Sequence, residues 1–99
     1  DKYGRYTPLH RAAENGHIDV VRYLVETANA KVEAKDKYGC TPLHCAATNG
    51  HIDVVRYLVG TANANVETKD KYGRYTPLHR AAENGHIDVV RYLVETANA

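Results

Sequence analysis

Two cysteines, Cys40 and Cys45, share a short stretch with His44, and His51 follows just beyond it. Thiolates are nucleophiles and soft metal ligands, and imidazole is a base, so three chemistries are open: zinc binding, a disulfide and covalent catalysis. Zinc sites bring ligands in spaced pairs to a tetrahedron, whereas these crowd around one expected helix start with no second pair. A disulfide needs Cα atoms within about 7 Å. Cys40 precedes the helix start and Cys45 lies a turn inside it, so their side chains are expected to diverge. A nucleophile needs a lowered pKa, a base and a pocket, and the sequence identifies no acid or pocket for one. The expectation is ordinary, partly buried thiols, with no catalytic residue, no metal site and no cofactor.

The histidines point the same way. They fall as His10 and His17, His44 and His51, and His79 and His86, each pair at the same two positions of a recurring unit. One structural role for each position explains all six. The first of each pair can hydrogen-bond back to a capping threonine, and the second to neighbouring backbone.

The unit itself is plain. Residues 1–30 and 70–99 are identical, and 36–65 is a close variant, with Thr-Pro-Leu-His starting at Thr7, Thr41 and Thr76. Self-similarity at this period means stacked supersecondary units rather than one globular core. Thirty identical residues also suggest recent duplication or design. In the first copy, Thr7 can cap a helix and Pro8 at its first position loses no hydrogen bond. A short helix is predicted over Pro8 to Glu14, ended by Asn15-Gly16. A second is predicted over Ile18 to Ala28, with Ile18, Val21, Leu24 and Val25 at helical spacing and Asp19 favourable near its positive end. The polar stretch that follows reads as an extended hairpin-like loop.

"TPLHRAA", "TPLHCAA" and "TPLHRAA", each followed by "NGHIDVVRYLV", resemble the ankyrin repeat family. The resemblance covers the whole chain as one domain, residues 1–99, divided into repeats 1–35, 36–69 and 70–99, the last lacking its trailing loop. It implies an all-α repeat solenoid of stacked helix-turn-helix units joined by hairpin-like loops. It also implies a non-catalytic scaffold that recognises protein through its hairpin tips and first-helix face. The chain departs from the family's unit of about 33 residues at two places. "GRYT" in the outer copies is one residue longer than the middle copy's "GCT", and Tyr6 and Tyr75 are expected to bulge. The second helix is expected to run about one residue longer, with Asn29, Asn63 and Asn98 at its left-handed end in place of the usual glycine.

Differences between copies fall mostly on that implied binding face. The middle copy has Cys40 for Arg5-Tyr6, Cys45 for Arg11, Thr48 for Glu14 and Gly60 for Glu26. Arg11 and Glu14 can pair at i,i+3, and both are lost together. Two accounts follow: simple loss of a weak exposed pair, or a shallow central slot flanked by Arg5, Tyr6, Arg74 and Tyr75. Gly60 has no binding rationale and should cost about 0.5–1 kcal/mol relative to alanine. Tyrosine gives rigid contact area with a polar tip. Tyr3, Tyr6, Tyr38, Tyr72 and Tyr75 lie on the hairpin segments, whereas Tyr23, Tyr57 and Tyr92 read as inter-repeat packing. The expected partner-contacting set is therefore Lys2, Tyr3, Arg5, Tyr6, Glu14, Lys37, Tyr38, Cys40, Cys45, Thr48, Lys71, Tyr72, Arg74, Tyr75 and Glu83.

Thirteen basic and twelve acidic residues leave a net charge of +1, with no block of like charge. That balance argues against a nucleic-acid partner. No apolar run approaches a membrane span and no leader is visible at Asp1, so an intracellular, reducing location or an engineered chain is expected. The identical outer copies carry no polar capping face. Leu9, Ala12, Ile18 and Val21 should lose a neighbour at one end, and Leu78, Ala81, Ile87 and Val90 at the other. Such a contact is heterologous and open-ended, so head-to-tail self-association is the alternative function.

Overall fold

The computed structural model describes residues 5–73 and 75–98. The helices are α1 (Pro8–Glu14), α2 (Ile18–Glu26), α3 (Pro42–Thr48), α4 (Ile52–Arg56), α5 (Pro77–Glu83) and α6 (Ile87–Arg91). No strand occurs among the described residues. The all-α solenoid expected from the repeats is the observed architecture. α1, α3 and α5 stack in one row, more closely than α2, α4 and α6 in the other. The reason is side-chain size: Ala12, Ala13, Ala46, Ala47 and Ala81 fill the first row, while Val21, Val54, Val55, Leu58, Val89 and Leu93 fill the second.

Each first helix begins with the same device. The Thr7 hydroxyl accepts from the His10 backbone N–H at 3.3 Å, and His10 Nδ1 accepts from the Thr7 N–H at 3.1 Å. Thr41 with His44 and Thr76 with His79 repeat it. This is a capping box with histidine in the role usually held by Glu or Gln. A ring that accepts at Nδ1 is free to donate at Nε2. His10 Nε2 lies 2.9 Å from the Cys40 carbonyl oxygen, and His44 Nε2 lies 3.0 Å from that of Tyr75. Each ring thus ties its own helix start to the next copy's hairpin.

The second histidines link copies in the other direction. His51 and His86 were expected to bond neighbouring backbone. Instead, His51 Nε2 reaches the Glu14 carbonyl oxygen and His86 Nε2 that of Thr48, both at 2.9 Å, in the preceding copy. The ring lies against the preceding inter-helix glycine. A Cβ on Gly16 would meet the His51 ring at 2.6 Å, and one on Gly50 would meet His86 at 2.5 Å.

Four further expectations are corrected. The second helix does not run regularly to Ala28. α2 ends at Glu26, and in the later copies Tyr57–Thr61 and Tyr92–Thr96 are π-helical. The added residue is absorbed by an i→i+5 hydrogen bond: Ala28 to Tyr23, Ala62 to Tyr57 and Ala97 to Tyr92. Asn29, Asn63 and Asn98 do take the left-handed conformation, with φ of 57°, 59° and 58°.

Nor does Tyr75 bulge. Its carbonyl accepts from Asp70 N–H at 3.0 Å as Cys40 accepts from Asp36, so Tyr75 occupies the Cys40 place. In the first copy Arg5 takes the left-handed conformation, with φ 57°; Arg74 lies outside the described residues.

The end faces also differ in part from those expected: Ile87 is exposed as expected, whereas Ile18, Leu78 and Val90 are half-buried. Leu9, Ala12 and Val21 pack inward against the second copy and are buried, as is Ala81. The first copy instead exposes Pro8, Val20 and Tyr23, and the third exposes Ile87 and Val94. Finally, Cys40 and Cys45 do not diverge; both face one pocket.

Candidate functional site

Hairpins and first helices share one side of the array, and two depressions lie there. The first, about 200 Å³, sits over the middle copy between the outer two. Its near wall is Tyr6 and Glu14, its far wall Arg80, and Cys40, Cys45 and Thr48 lie between them. The Tyr6 ring leans over His10 with centroids 5.1 Å apart and carries the Arg11 guanidinium 5.4 Å from its centre. The Tyr6 hydroxyl donates to the Glu14 carboxylate, and Glu14 also lies 3.8 Å from Arg11. On the far wall Arg80 stacks 4.5 Å from the Tyr75 ring centre and pairs with Asp70 at 3.6 Å and Glu83 at 3.7 Å.

The middle copy has neither wall. Thr48 turns its hydroxyl back to the His44 carbonyl at 2.8 Å and presents only a short side chain. The replacement of Arg and Glu by Cys45 and Thr48 therefore opens space that the flanking copies fill. Burial pushes the Cys45 thiol up to about 12, and it also raises that of Cys40. Tyr6 is held well above the usual phenol range by burial and by its bond to Glu14. These are protonated, weakly reactive groups, suited to contact rather than attack. Among the described residues no three His, Cys, Asp or Glu side chains converge on a possible metal position, and no helix is long and apolar enough to cross a membrane.

The second depression, about 280 Å³, lies over the hairpins. Arg5, Lys35, Lys37, Lys69 and Lys71 surround it and all are exposed. Two carboxylates share it, Asp70 buried and Asp36 half-buried. Asp36 Oδ1 accepts from Tyr38 N–H and Cys40 N–H, each at 2.9 Å. Asp70 accepts from Tyr72 N–H at 3.1 Å and pairs with Arg80. The hairpins are pinned together where Lys71 N–H donates to the Tyr38 carbonyl at 2.7 Å, an approach that a Cβ on Gly39 would block.

Of the residues expected to contact a partner, Tyr6, Glu14, Cys40, Cys45 and Thr48 line the first depression, with Tyr75 and Glu83 against its far wall through Arg80. Arg5, Lys37 and Lys71 line the second, beside exposed Tyr38 and Tyr72. Lys2, Tyr3 and Arg74 lie outside the described residues. Arg80, Lys35, Lys69, Asp36 and Asp70 were missed. A signal was present for the lysines: every lysine of the chain falls in a hairpin stretch.

Ankyrin repeats in three copies match residues 1–70 and 30–99, which together span the chain, and the chain belongs to the ankyrin repeat family. Ankyrin repeat domain-containing protein 49 of Bos taurus is 76% identical over 21 residues, 21% of this chain and 9% of that protein. A chain in the crystal structure of the yeast ribosomal protein Rps3 in complex with its chaperone Yar1 superposes with a TM-score of 0.89 at 31% identity, covering 97% of this chain and 69% of that one. The family is one of protein–protein interaction modules and is in general non-catalytic.

Proposed function

We propose that this chain is a protein-recognition scaffold that binds its partner across the hairpin tips and the first-helix face. One observation carries the reading: Tyr38 and Tyr72 stand 50% and 65% exposed on that side, on the turns whose lysines line the hairpin depression. Tyr57, by contrast, is spent on packing. It is buried, donates to Glu26 at 2.7 Å and carries Arg22 5.7 Å over its ring. Rigid aromatic groups presented beside a recess are what interface anchors require. The test is capture from cell lysate, compared between the chain and Tyr38→Ala/Tyr72→Ala. Tyr23→Ala is the control, since Tyr23 is as exposed, at 60%, but sits on a second helix. Loss of a captured protein with the first variant alone supports the reading; equal capture by all three overturns it.

A second reading has its own observation. Val20 and Tyr23 are exposed at one end of the array and Ile87 and Val94 at the other, whereas their counterparts Val54 and Tyr57 are buried between copies. The first copy's end also holds an apolar recess of about 280 Å³ lined by Pro8, Leu9, Leu24, Ala28 and Ala30. A second molecule stacked head to tail would repeat the contact that already joins the copies. Light scattering over a concentration series should then show mass rising above one chain, and Val20→Glu should suppress the rise. A constant single-chain mass refutes this reading.

A further inference from the structure

Resting on the recognition reading above, we infer that the hairpin surface is built for an acidic protein segment, held by Lys35, Lys37, Lys69, Lys71 and Arg5. The near-zero net charge conceals this face because every lysine falls in a hairpin stretch while most of the carboxylates lie on the helices. Asp36 and Asp70 stand in the same depression; Oδ1 of each accepts from turn N–H groups and Asp70 also pairs with Arg80, so five cations surround two carboxylates that are partly engaged by the fold. Among the described residues no carboxylate lies within ion-pair distance of the four lysines; the described pairs all belong to Arg11 and Arg80. Five exposed cations around one recess of about 280 Å³ repel one another, and an anion placed among them relieves that repulsion.

The arrangement is also fixed in advance. The Lys71 N–H to Tyr38 carbonyl bond and the close passage of Gly39 set the second and third hairpins at one spacing. Lys37 and Lys71, each the second residue of an Asp-Lys-Tyr-Gly turn, therefore project at one interval. Lys37 Nζ lies 5.2 Å from the Tyr38 ring centre, which keeps the ammonium beside an aromatic surface. Cations alternating with Tyr38 and Tyr72 fit a segment in which Asp or Glu alternates with apolar residues.

A nucleic acid fits less well. Phosphate recognition typically spreads over about six to ten contacts along a backbone. Here the cations form one compact group, and exposed Glu33 and Glu67 on the same hairpins would face a longer polyanion.

The experiment is fluorescence anisotropy with three labelled probes: a twelve-residue peptide alternating glutamate with leucine or tyrosine, its glutamine counterpart, and an oligothymidylate of about twenty nucleotides. Protein samples are the chain, Lys35→Gln/Lys37→Gln/Lys69→Gln/Lys71→Gln, Arg22→Gln/Arg56→Gln as a charge control, and Tyr38→Ala/Tyr72→Ala. The expected result is binding of the acidic peptide over its glutamine form, weakened about 10- to 30-fold in the lysine variant from four modest exposed pairs. The arginine control should bind as the unaltered chain does. Affinity should fall as salt shortens the Debye length to about 8 Å at 0.15 M. Equal binding by the lysine variant, or no binding of the acidic peptide, overturns the inference. Tighter binding of the oligonucleotide overturns it in favour of a nucleic-acid surface. If the partner identified by lysate capture is lost with the tyrosine variant but retained by the lysine variant, the charge inference fails and the recognition reading stands. If neither variant loses that partner, both fail.

Discussion

Gly50 and Gly85 offer a matched pair of alanine substitutions. Both glycines end a first helix in the left-handed region, with φ of 73° and 75°. An alanine there costs about 1–2 kcal/mol in either case from Cβ strain, and the shared effect on the unfolded chain cancels in the comparison. Only their surroundings differ. At Gly50 the added Cβ would lie 2.5 Å from Nδ1 of His86, whereas at Gly85 it meets nothing within 4 Å. The His86 ring would have to withdraw, breaking its 2.9 Å bond to the Thr48 carbonyl. Losing that bond, with the carbonyl left poorly satisfied, costs about 1–3 kcal/mol. Gly50→Ala should therefore be less stable than Gly85→Ala by about 1–3 kcal/mol. Urea unfolding followed by circular dichroism would show the difference as roughly 1 M in midpoint for a slope near 2 kcal/mol/M. Equal midpoints would refute the claim that the histidine ring packs over the preceding copy's glycine and clamps the two together.

Three further predictions concern separate contacts. His10 and His44 use both ring nitrogens as a neutral imidazole, and burial lowers both pKa values below the ordinary 6.5. The unfolded chain then takes up protons that the folded chain refuses, so stability is full above about pH 7. It falls as pH drops below 6.5 towards the folded pKa, by at most ~1.4 kcal/mol per ring for each pH unit; urea midpoints at pH 7.5, 6.5 and 5.5 would decide, and a flat profile contradicts the account. Tyr57 has Glu26 as acceptor, but Gly60 leaves Tyr92 without the equivalent carboxylate, and a Cβ at Gly60 meets only the Tyr92 hydroxyl at 3.4 Å. Gly60→Glu should accordingly raise stability by about 1–2 kcal/mol from helix propensity and one restored hydrogen bond, measured as a higher thermal midpoint; a lower midpoint argues against that pairing. Cys45, with its pKa pushed up to about 12, should react with a chromogenic disulfide reagent at pH 8 roughly 100-fold or more slowly than free cysteine, and should reach the free rate in urea. A fast reaction in the folded chain would mean the pocket is open to that thiol.

Much of this architecture could be read before the structure because its signals are local. Thr7-Pro8 marks a helix start by capping chemistry, Asn15-Gly16 marks its end, and Asn29 can adopt the left-handed turn that closes the unit. Each acts within a few residues of itself. What escaped depends on contacts across about 34 residues or on choices the chain can make in more than one way. An added residue near Thr27 could lengthen an α-helix or widen it to a π turn, and nothing at that position alone decides between them. Arg5 and Tyr6 were equally able to be the inserted residue. The hairpin bond network gives Tyr75 the carbonyl position. Nε2 of His44 finds its partner only once the next hairpin lies against it. The lysine face is the clearest case: Lys37 and Lys71 are far apart in sequence, and a tally of charge along the chain cannot show that stacking brings them together around one depression. The slot over Cys45 and Thr48 was legible in outline, because comparing copies reveals which side chains are missing. Its far wall was not, since Arg80 enters from the neighbouring repeat.

Amide hydrogen exchange on the chain alone and saturated with its captured partner tests the central claim most directly. The account predicts added protection at residues 36–40 and 70–73 and along α1, α3 and α5, with α2, α4 and α6 unchanged. Protection confined to α2, α4 and α6, with the hairpins exchanging as before, would contradict it.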